Sequence, residues 1–224
     1  DDWQAIYRFA GSDISLMTGF RRSFGKCSVM KLDRTFRFDE SIEAISSEFV
    51  LKNPKQIKKR LRAVRPSDRP SVSIHWNLST ELRGLRDVVR IMVANRAKAD
   101  GTLLILARYK HDLPDVRLLR ELAEIWKPGI INLATTIHAA KGMQADYVLV
   151  TDLVSGKSGF PSEIVDDPIL DLVLSEPEQY PNAEERRLFY VALTRSKLES
   201  HVVTAESAPS TFAEELRTGD YSVE

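Results

Sequence analysis

The chain has 224 residues, 43% apolar and 29% charged, which is enough to bury the core of one domain, or of one domain plus a fragment. Its 32 Lys and Arg balance 32 Asp and Glu, which argues against a small basic DNA-binding protein but not against a machine that holds DNA in a local groove. Cys27 is the only cysteine, excluding an internal disulfide and a thiolate metal cage; a reducing, cytoplasmic setting is expected, and no apolar run nears the roughly 20 residues of a membrane span.

The chain opens on Asp1-Asp2-Trp3-Gln4, without an initiator methionine, and runs straight into an apolar segment. The start is therefore expected to be a boundary inside a longer protein. A helical pattern over 14–24 is followed by a candidate strand at 29–32 and a helix over 40–52. Residues 54–70, rich in Lys, Arg and Pro, read as a helix fragment and a linker or exposed loop. Apolar and β-branched runs at 71–76, 102–108, 130–136, 147–153 and 201–205 suit buried parallel strands. Helical periodicity covers 80–96, 114–126, 164–174, 183–196 and 211–217. Gly156, Gly159 and Pro161 mark a surface loop. This alternation predicts an α/β fold, a mainly parallel sheet with helices on both faces, whose ligands sit at the carboxyl ends of strands.

Four segments hold residues suited to chemistry. In DDWQAIYRFAGSD, the Gln4 amide can accept from a nucleophilic water and donate to a phosphate oxygen. Tyr7 and Phe9 are either stacking platforms for bases or core aromatics beside a turn. In LDRTFRF a strand is expected to end near Asp33, leaving Phe36 to stack on a purine and Arg37 to fork onto phosphate, or leaving a core Phe beside an exposed Arg. In TTIHAAKGMQAD, between two strands, Thr136, His138, Lys141 and the backbone near Gly142 suit a phosphodiester; the alternative is a turn with a structural histidine. In NAEERRLFYVALTRSK, Asn182 and Glu185 form a capping-box pattern. There Glu184–Arg187 and Glu185–Arg186 read as a solvated, self-paired helix end. Arg195 closes that helix, where a guanidinium could reach a nucleotide on a neighbouring domain. No segment reads GxxxxGK followed by Ser or Thr, so no phosphate-cradling loop is present. The four histidines are scattered without metal-ligand spacing.

In this order the four segments resemble motifs III, IV, V and VI of superfamily 1 DNA helicases of the UvrD/Rep/PcrA type, whose patterns run GDDxQSIYxFRGA, NYRS, TxHxxKGLExxxV and a near copy of EERRLFYVALTRSK. The stretches IYRF, KGMQADYV and YPNAEERRLFYVALTR are most similar to the bacterial helicase IV branch. The resemblance implies a RecA-like second motor domain (26–224) preceded by a stub of the first (1–25). It implies that Gln4 senses the γ-phosphate, Phe36 stacks on adenine, Arg37 contacts the γ-phosphate, Gln144 lies near the ribose, and Arg195 is the arginine finger. Tyr7, Phe9, Thr136, His138 and Lys141 would hold DNA. ATP with Mg²⁺ is the implied cofactor, bound mainly by an upstream motor domain, so the fragment alone is expected to be inert and monomeric. Single-stranded DNA and duplex junctions are the implied partners. Ala10 replaces the family's arginine, Phe36 its tyrosine and Gln144 its glutamate. The interval between motifs IV and V implies that the inserted subdomain of larger relatives is reduced or absent, and its basic residues Lys55, Lys58, Lys59, Arg60, Arg62 and Arg65 either touch DNA or form a solvated face. A non-catalytic nucleotide- or DNA-binding scaffold, or a helicase–nuclease subunit, is the alternative.

Overall fold

The computed structural model describes residues 1–77, 84–164, 169 and 178–224. Two 3-10 turns, Asp2–Gln4 and Arg8–Ala10, precede two short α-helices, α1 (Ser15–Thr18) and α2 (Phe20–Phe24). The predicted single helix breaks at Gly19, which ends α1 with its amide on the Ser15 carbonyl. Next come β1 (Arg34–Asp39), α3 (Glu40–Leu51) and β2 (Arg62–Arg65); β1 and β2 pair in parallel as a two-stranded ribbon.

This ribbon corrects two expectations. The strand predicted at 29–32 is exposed coil, with Met30 and Leu32 each 92% exposed. Apolar content alone does not make a strand; a backbone partner is needed, and pairing starts where Arg34 meets Arg62. That partner lies in the stretch read as a helix fragment and linker. Its alternation Arg62-Ala63-Val64-Arg65 is too short and too charged to stand out.

The remaining elements are β3 (Val72–Asn77), α4 (Leu85–Asn95), β4 (Thr102–Ala107), α5 (Val116–Trp126), β5 (Ile130–Thr136), β6 (Ala145–Val150), α6 (Ala183–Leu193), β7 (Ser196–Ala205) and α7 (Thr211–Thr218). The strands β3 to β7 form one parallel sheet in the order β3-β7-β6-β4-β5. The predicted helix at 80–96 is met by α4, its first residues lying outside the described ones, as does nearly all of the segment predicted helical at 164–174. Among the described residues no helix is long and apolar enough to cross a membrane.

Side chains on adjacent positions of a strand face opposite ways, and here both faces are buried. Leu104, Leu106, Val148, Val150 and Val202 face a core shared with α3, α6 and α7. Leu103, Ile105, Tyr147, Leu149 and Val203 face a second core under α4 and α5. Side-chain caps start three of these helices: Asp39 accepts from Ile42 N at 3.0 Å, Asp115 from Leu118 N at 2.7 Å and Ser210 from Phe212 N at 3.1 Å.

β7 is twice as long as predicted, because its first half, Ser196-Lys197-Leu198-Glu199-Ser200, looks polar. Those polar groups are satisfied internally. The Ser196 and Ser200 hydroxyls both donate to the Leu193 carbonyl, at 2.9 and 2.8 Å, which lets them lie buried between β3 and β6.

Candidate nucleotide and nucleic-acid site

The first ten residues are stitched onto the domain. Trp3 and Ile6 are fully buried, the Trp3 indole donates to the Ile57 carbonyl at 3.1 Å, and Ile57 N donates to Asp2 Oδ2 at 2.8 Å. Lys59 lies 4.2 Å from the Trp3 ring centroid and bridges Asp1 and Asp2. Of the basic residues in the interval, Lys59 and Arg65 thus serve the fold; Arg65 donates to the Arg37 carbonyl at 2.9 Å and to the Lys197 carbonyl.

This stitching brings residues 4–9 against the loop that leaves β5. The Tyr7 hydroxyl donates to the His138 carbonyl at 2.7 Å, and the Lys141 ammonium lies 5.1 Å from the Tyr7 ring while donating to the Gln4 carbonyl at 3.0 Å. The Phe9 ring stands edge-on to His138 and Tyr7, with centroids 5.5 and 5.8 Å apart. Phe9 is 61% exposed, whereas Tyr7 is half-buried. Thr136, at the end of β5, accepts from Ala139 N at 3.4 Å and starts the turn, which Gly142 continues in the left-handed region at φ 95°. Tyr7, Phe9, His138 and Lys141 therefore form one cluster, with Thr136 at its base. Burial, helped by the Arg108 charge and opposed by a hydrogen bond with the Ile6 backbone, pushes the His138 imidazole down to about 4. At neutral pH it acts as an uncharged hydrogen-bonding ring.

The second group lies across the same loop. Phe36 and Arg37 sit inside β1 rather than beyond its end, which corrects the expectation that a strand stops near Asp33. Phe36 is 71% exposed, with the Arg34 guanidinium 5.5 Å from its centroid. Arg37 is half-buried and lies close enough to Arg195 for its charge, after burial, to pull the Arg195 guanidinium down to about 10. Arg195 stays cationic at neutral pH but is 0% exposed. Its head is turned inward: Nε donates to the Val191 carbonyl at 3.0 Å, Nη1 to the Met143 carbonyl at 3.4 Å and Nη2 to Thr194 Oγ1 at 3.3 Å. Tyr190 stands between these arginines and Trp3, whose ring meets it edge-on at 5.4 Å. Gln144 is exposed beside Met143. The Gln4 side chain donates to Asp1 Oδ2 at 2.9 Å, so its amide faces the chain's own first residue while its carbonyl holds Lys141.

The start of α6 departs from its sequence reading. Asn182 takes a left-handed conformation, φ 53°, and makes no side-chain cap. Glu185 instead clasps Arg108 after β4, with Oε1 2.8 Å from Nη2 and Oε2 3.0 Å from Nε. Glu184 accepts from Arg8 N at 3.0 Å, Arg186 pairs with Glu215 of α7, and buried Arg187 pairs with Glu178 and donates to the Ala5 carbonyl at 2.6 Å. These charges are cross-links from α6 to four other parts of the chain, not a solvated end. Sequence spacing cannot reveal this, because no partner lies at the three- or four-residue spacing of a helix face. Sequence reasoning also missed Asp112 and Asp152 at the ends of β4 and β6, where burial and then the Asp112 charge raise Asp152 to about 6. Among the described residues, no group of three or more His, Cys, Asp or Glu could hold a metal ion.

A parallel sheet between two helical layers, with its site loops gathered at strand ends, defines a RecA-like motor-domain fold. Residues 127–207, which carry the β5–β6 loop and α6, match the UvrD-like helicase C-terminal domain, and this C-terminal domain of the chain matches the UvrD-like helicase superfamily. DNA helicase IV of Escherichia coli strain K12 is 39% identical over 223 residues, all of this chain but 31% of that protein. A probable DNA helicase II homolog of Mycoplasma capricolum is 38% identical over 99 residues, 40% of this chain and 12% of its own length. The chain thus spans a third or less of these relatives. A solved C-terminal domain of a possible DNA helicase from Lactobacillus plantarum aligns with 84% of this chain and 97% of its own, at 18% identity and a TM-score of 0.46.

Proposed function

We propose that this chain is the second motor domain, with a short stub of the first, of an ATP-driven DNA helicase that steps along a single strand and opens duplex. The observation that carries this reading is the loop between β5 and β6. One side of it holds the aromatic and basic cluster through His138 and Lys141, and the other holds Arg195 through the Met143 carbonyl. A strand gripped on one side and a nucleotide met on the other would then share one connection, so that binding either could change the other's contacts.

The residues suit the implied nucleotide in their chemistry. Arg37 and Arg195 supply two guanidiniums for an anionic tail, Phe36 an open ring face for a purine, and exposed Gln144 a neutral amide for a ribose hydroxyl. Mg·ATP, which an upstream domain would mainly hold, would supply a transferable phosphoryl group. This chain's part would be to meet it: Arg195, released from the Val191 and Met143 carbonyls, would supply charge to the phosphate, and Gln4, released from Asp1, would orient the attacking water. On the DNA side, Phe9 offers an exposed face for a base and Lys141 a cation for a phosphate.

The test is Arg195→Ala in the full-length protein. DNA-stimulated ATP hydrolysis is expected to fall by about a thousandfold or more, with single-strand affinity nearly unchanged. Unaltered turnover would remove Arg195 from the reaction and, with it, the motor reading.

A further inference from the structure

β4 runs on into Arg108-Tyr109-Lys110-His111, a stretch the helicase reading above leaves without a role. Planar groups gather there. The Arg108 guanidinium lies 4.6 Å from the Tyr109 centroid, and the His111 ring lies almost parallel to Tyr109, with planes 8° apart and centroids 5.2 Å apart. Each member is fastened by another group. Glu185 of α6 clasps Arg108, the Ser162 hydroxyl lies 2.6 Å from the Tyr109 hydroxyl, and Asp112 Oδ1 lies 3.2 Å from His111 Nε2.

The fastening matters because an unsupported surface histidine rotates freely and loses entropy when it binds. Here one face of His111 rests on Tyr109 while the side chain remains 67% exposed, so the opposite face is open. A ring held in place with a free face is suited to receive another flat ring. Its position suggests which. Arg108 lies within electrostatic reach of His138, so the pair continues the Phe9–His138 cluster along the ends of β4 and β5. Lys110, exposed between the two rings in sequence, adds a cation beside it.

We propose that the Tyr109–His111 pair is a further base-stacking platform for a single nucleic-acid strand, one step beyond Phe9 and His138, with Lys110 meeting the adjoining phosphate. This rests on the strand-binding reading above and extends it to residues that reading does not use. Stacking recognises any base through its π face, so the platform lengthens the grip without adding sequence preference. It also predicts a length threshold: an oligonucleotide long enough to cover only the Phe9 cluster gains nothing from it.

The experiment compares the full-length protein with its His111→Ala, His111→Phe and Phe9→Ala variants, titrated with fluorescein-labelled oligothymidylates of increasing length. His111→Ala is expected to lower affinity for the longer oligomers by about fivefold or more and to leave the shortest binding oligomer unaffected. His111→Phe, which keeps a flat face and loses the bond to Asp112, is expected to restore most of that affinity. Thermal melting without DNA separates a folding defect from a lost contact. If His111→Ala binds every length like wild type while Phe9→Ala weakens, the platform is wrong and the strand-binding reading stands. If wild type binds no oligomer, or Phe9→Ala also changes nothing, the strand-binding reading falls and takes the platform with it.

Discussion

The aromatic cluster around Phe9 and the arginine pair of Arg37 and Arg195 lie on either side of one loop, one open and the other shut. Phe9 is 61% exposed and Arg195 is 0% exposed, although both belong to segments with similar credentials in the sequence. The open cluster leaves the Phe9 ring exposed because Tyr7 takes the anchoring role through its hydroxyl bond to the His138 carbonyl. The shut pair has no such division of labour. The charged head of Arg195 is itself the anchor, fastened to Val191, Thr194 and Met143. On the proposed reading, a nucleic-acid strand would bind with little rearrangement, whereas a nucleotide would have to displace protein acceptors from Arg195 before gaining its charge.

This contrast can be broken by substitution, beginning where the effect is largest. Arg195→Leu removes a buried head whose three nitrogens are each hydrogen-bonded and takes that donor from the Met143 carbonyl, at a cost of about 2–4 kcal/mol in urea unfolding. Lys141→Ala, at an exposed position, should change stability by no more than about 0.5 kcal/mol. Equal losses in the two variants would mean that Arg195 is no more an anchor than Lys141.

Phe9 and Tyr7 sharpen the open side. Phe9→Ala should weaken single-strand binding by about 1–3 kcal/mol with melting unchanged, because its ring is mostly in solvent. Tyr7→Phe should do the reverse, costing about 1 kcal/mol of stability through the lost bond to His138 while keeping a stacking face. A melting loss in the first variant and a purely binding loss in the second would invert the assignment.

An effect no larger than that of Tyr7→Phe is acid sensitivity at His138. Its folded ring titrates near 4, whereas an unfolded histidine takes its proton near 6.5. The contribution of the neutral ring is fully present above about pH 6.5 and is lost as pH falls toward 4, because the unfolded chain binds the proton first. His138→Gln removes that titration, so its stability should fall less than that of wild type between pH 7.5 and pH 5. We expect a difference of about 1 kcal/mol after screening of this half-buried group; parallel curves would show that burial does not hold the ring neutral.

Several elements were readable because local pattern and tertiary role agree. The strands at 102–107 and 130–136 and the helices at 40–51 and 116–126 stand within a residue or two of their predicted bounds. β1 and β2 were not, since Arg34-Thr35-Phe36-Arg37 and Arg62-Ala63-Val64-Arg65 become strands only by pairing with each other across an intervening helix. The same holds for the site. Tyr7, Phe9, His138 and Lys141 were recognisable as residue types suited to DNA, and they do gather. The Glu185–Arg108 and Arg186–Glu215 pairs left no trace, because a charge on a helix looks solvated until its distant partner is known.

The order of residues alone determined the α/β alternation, the parallel sheet and the family likeness, since these rest on periodicity and on short contiguous motifs. Only the tertiary structure decided that Phe36 and Arg37 lie within a strand, that Arg195 faces inward, and that Tyr109 and His111 stack. The physical reason is that such facts depend on which distant backbone amides, carbonyls and rings come within bonding range, and chain closure over many residues leaves no local mark.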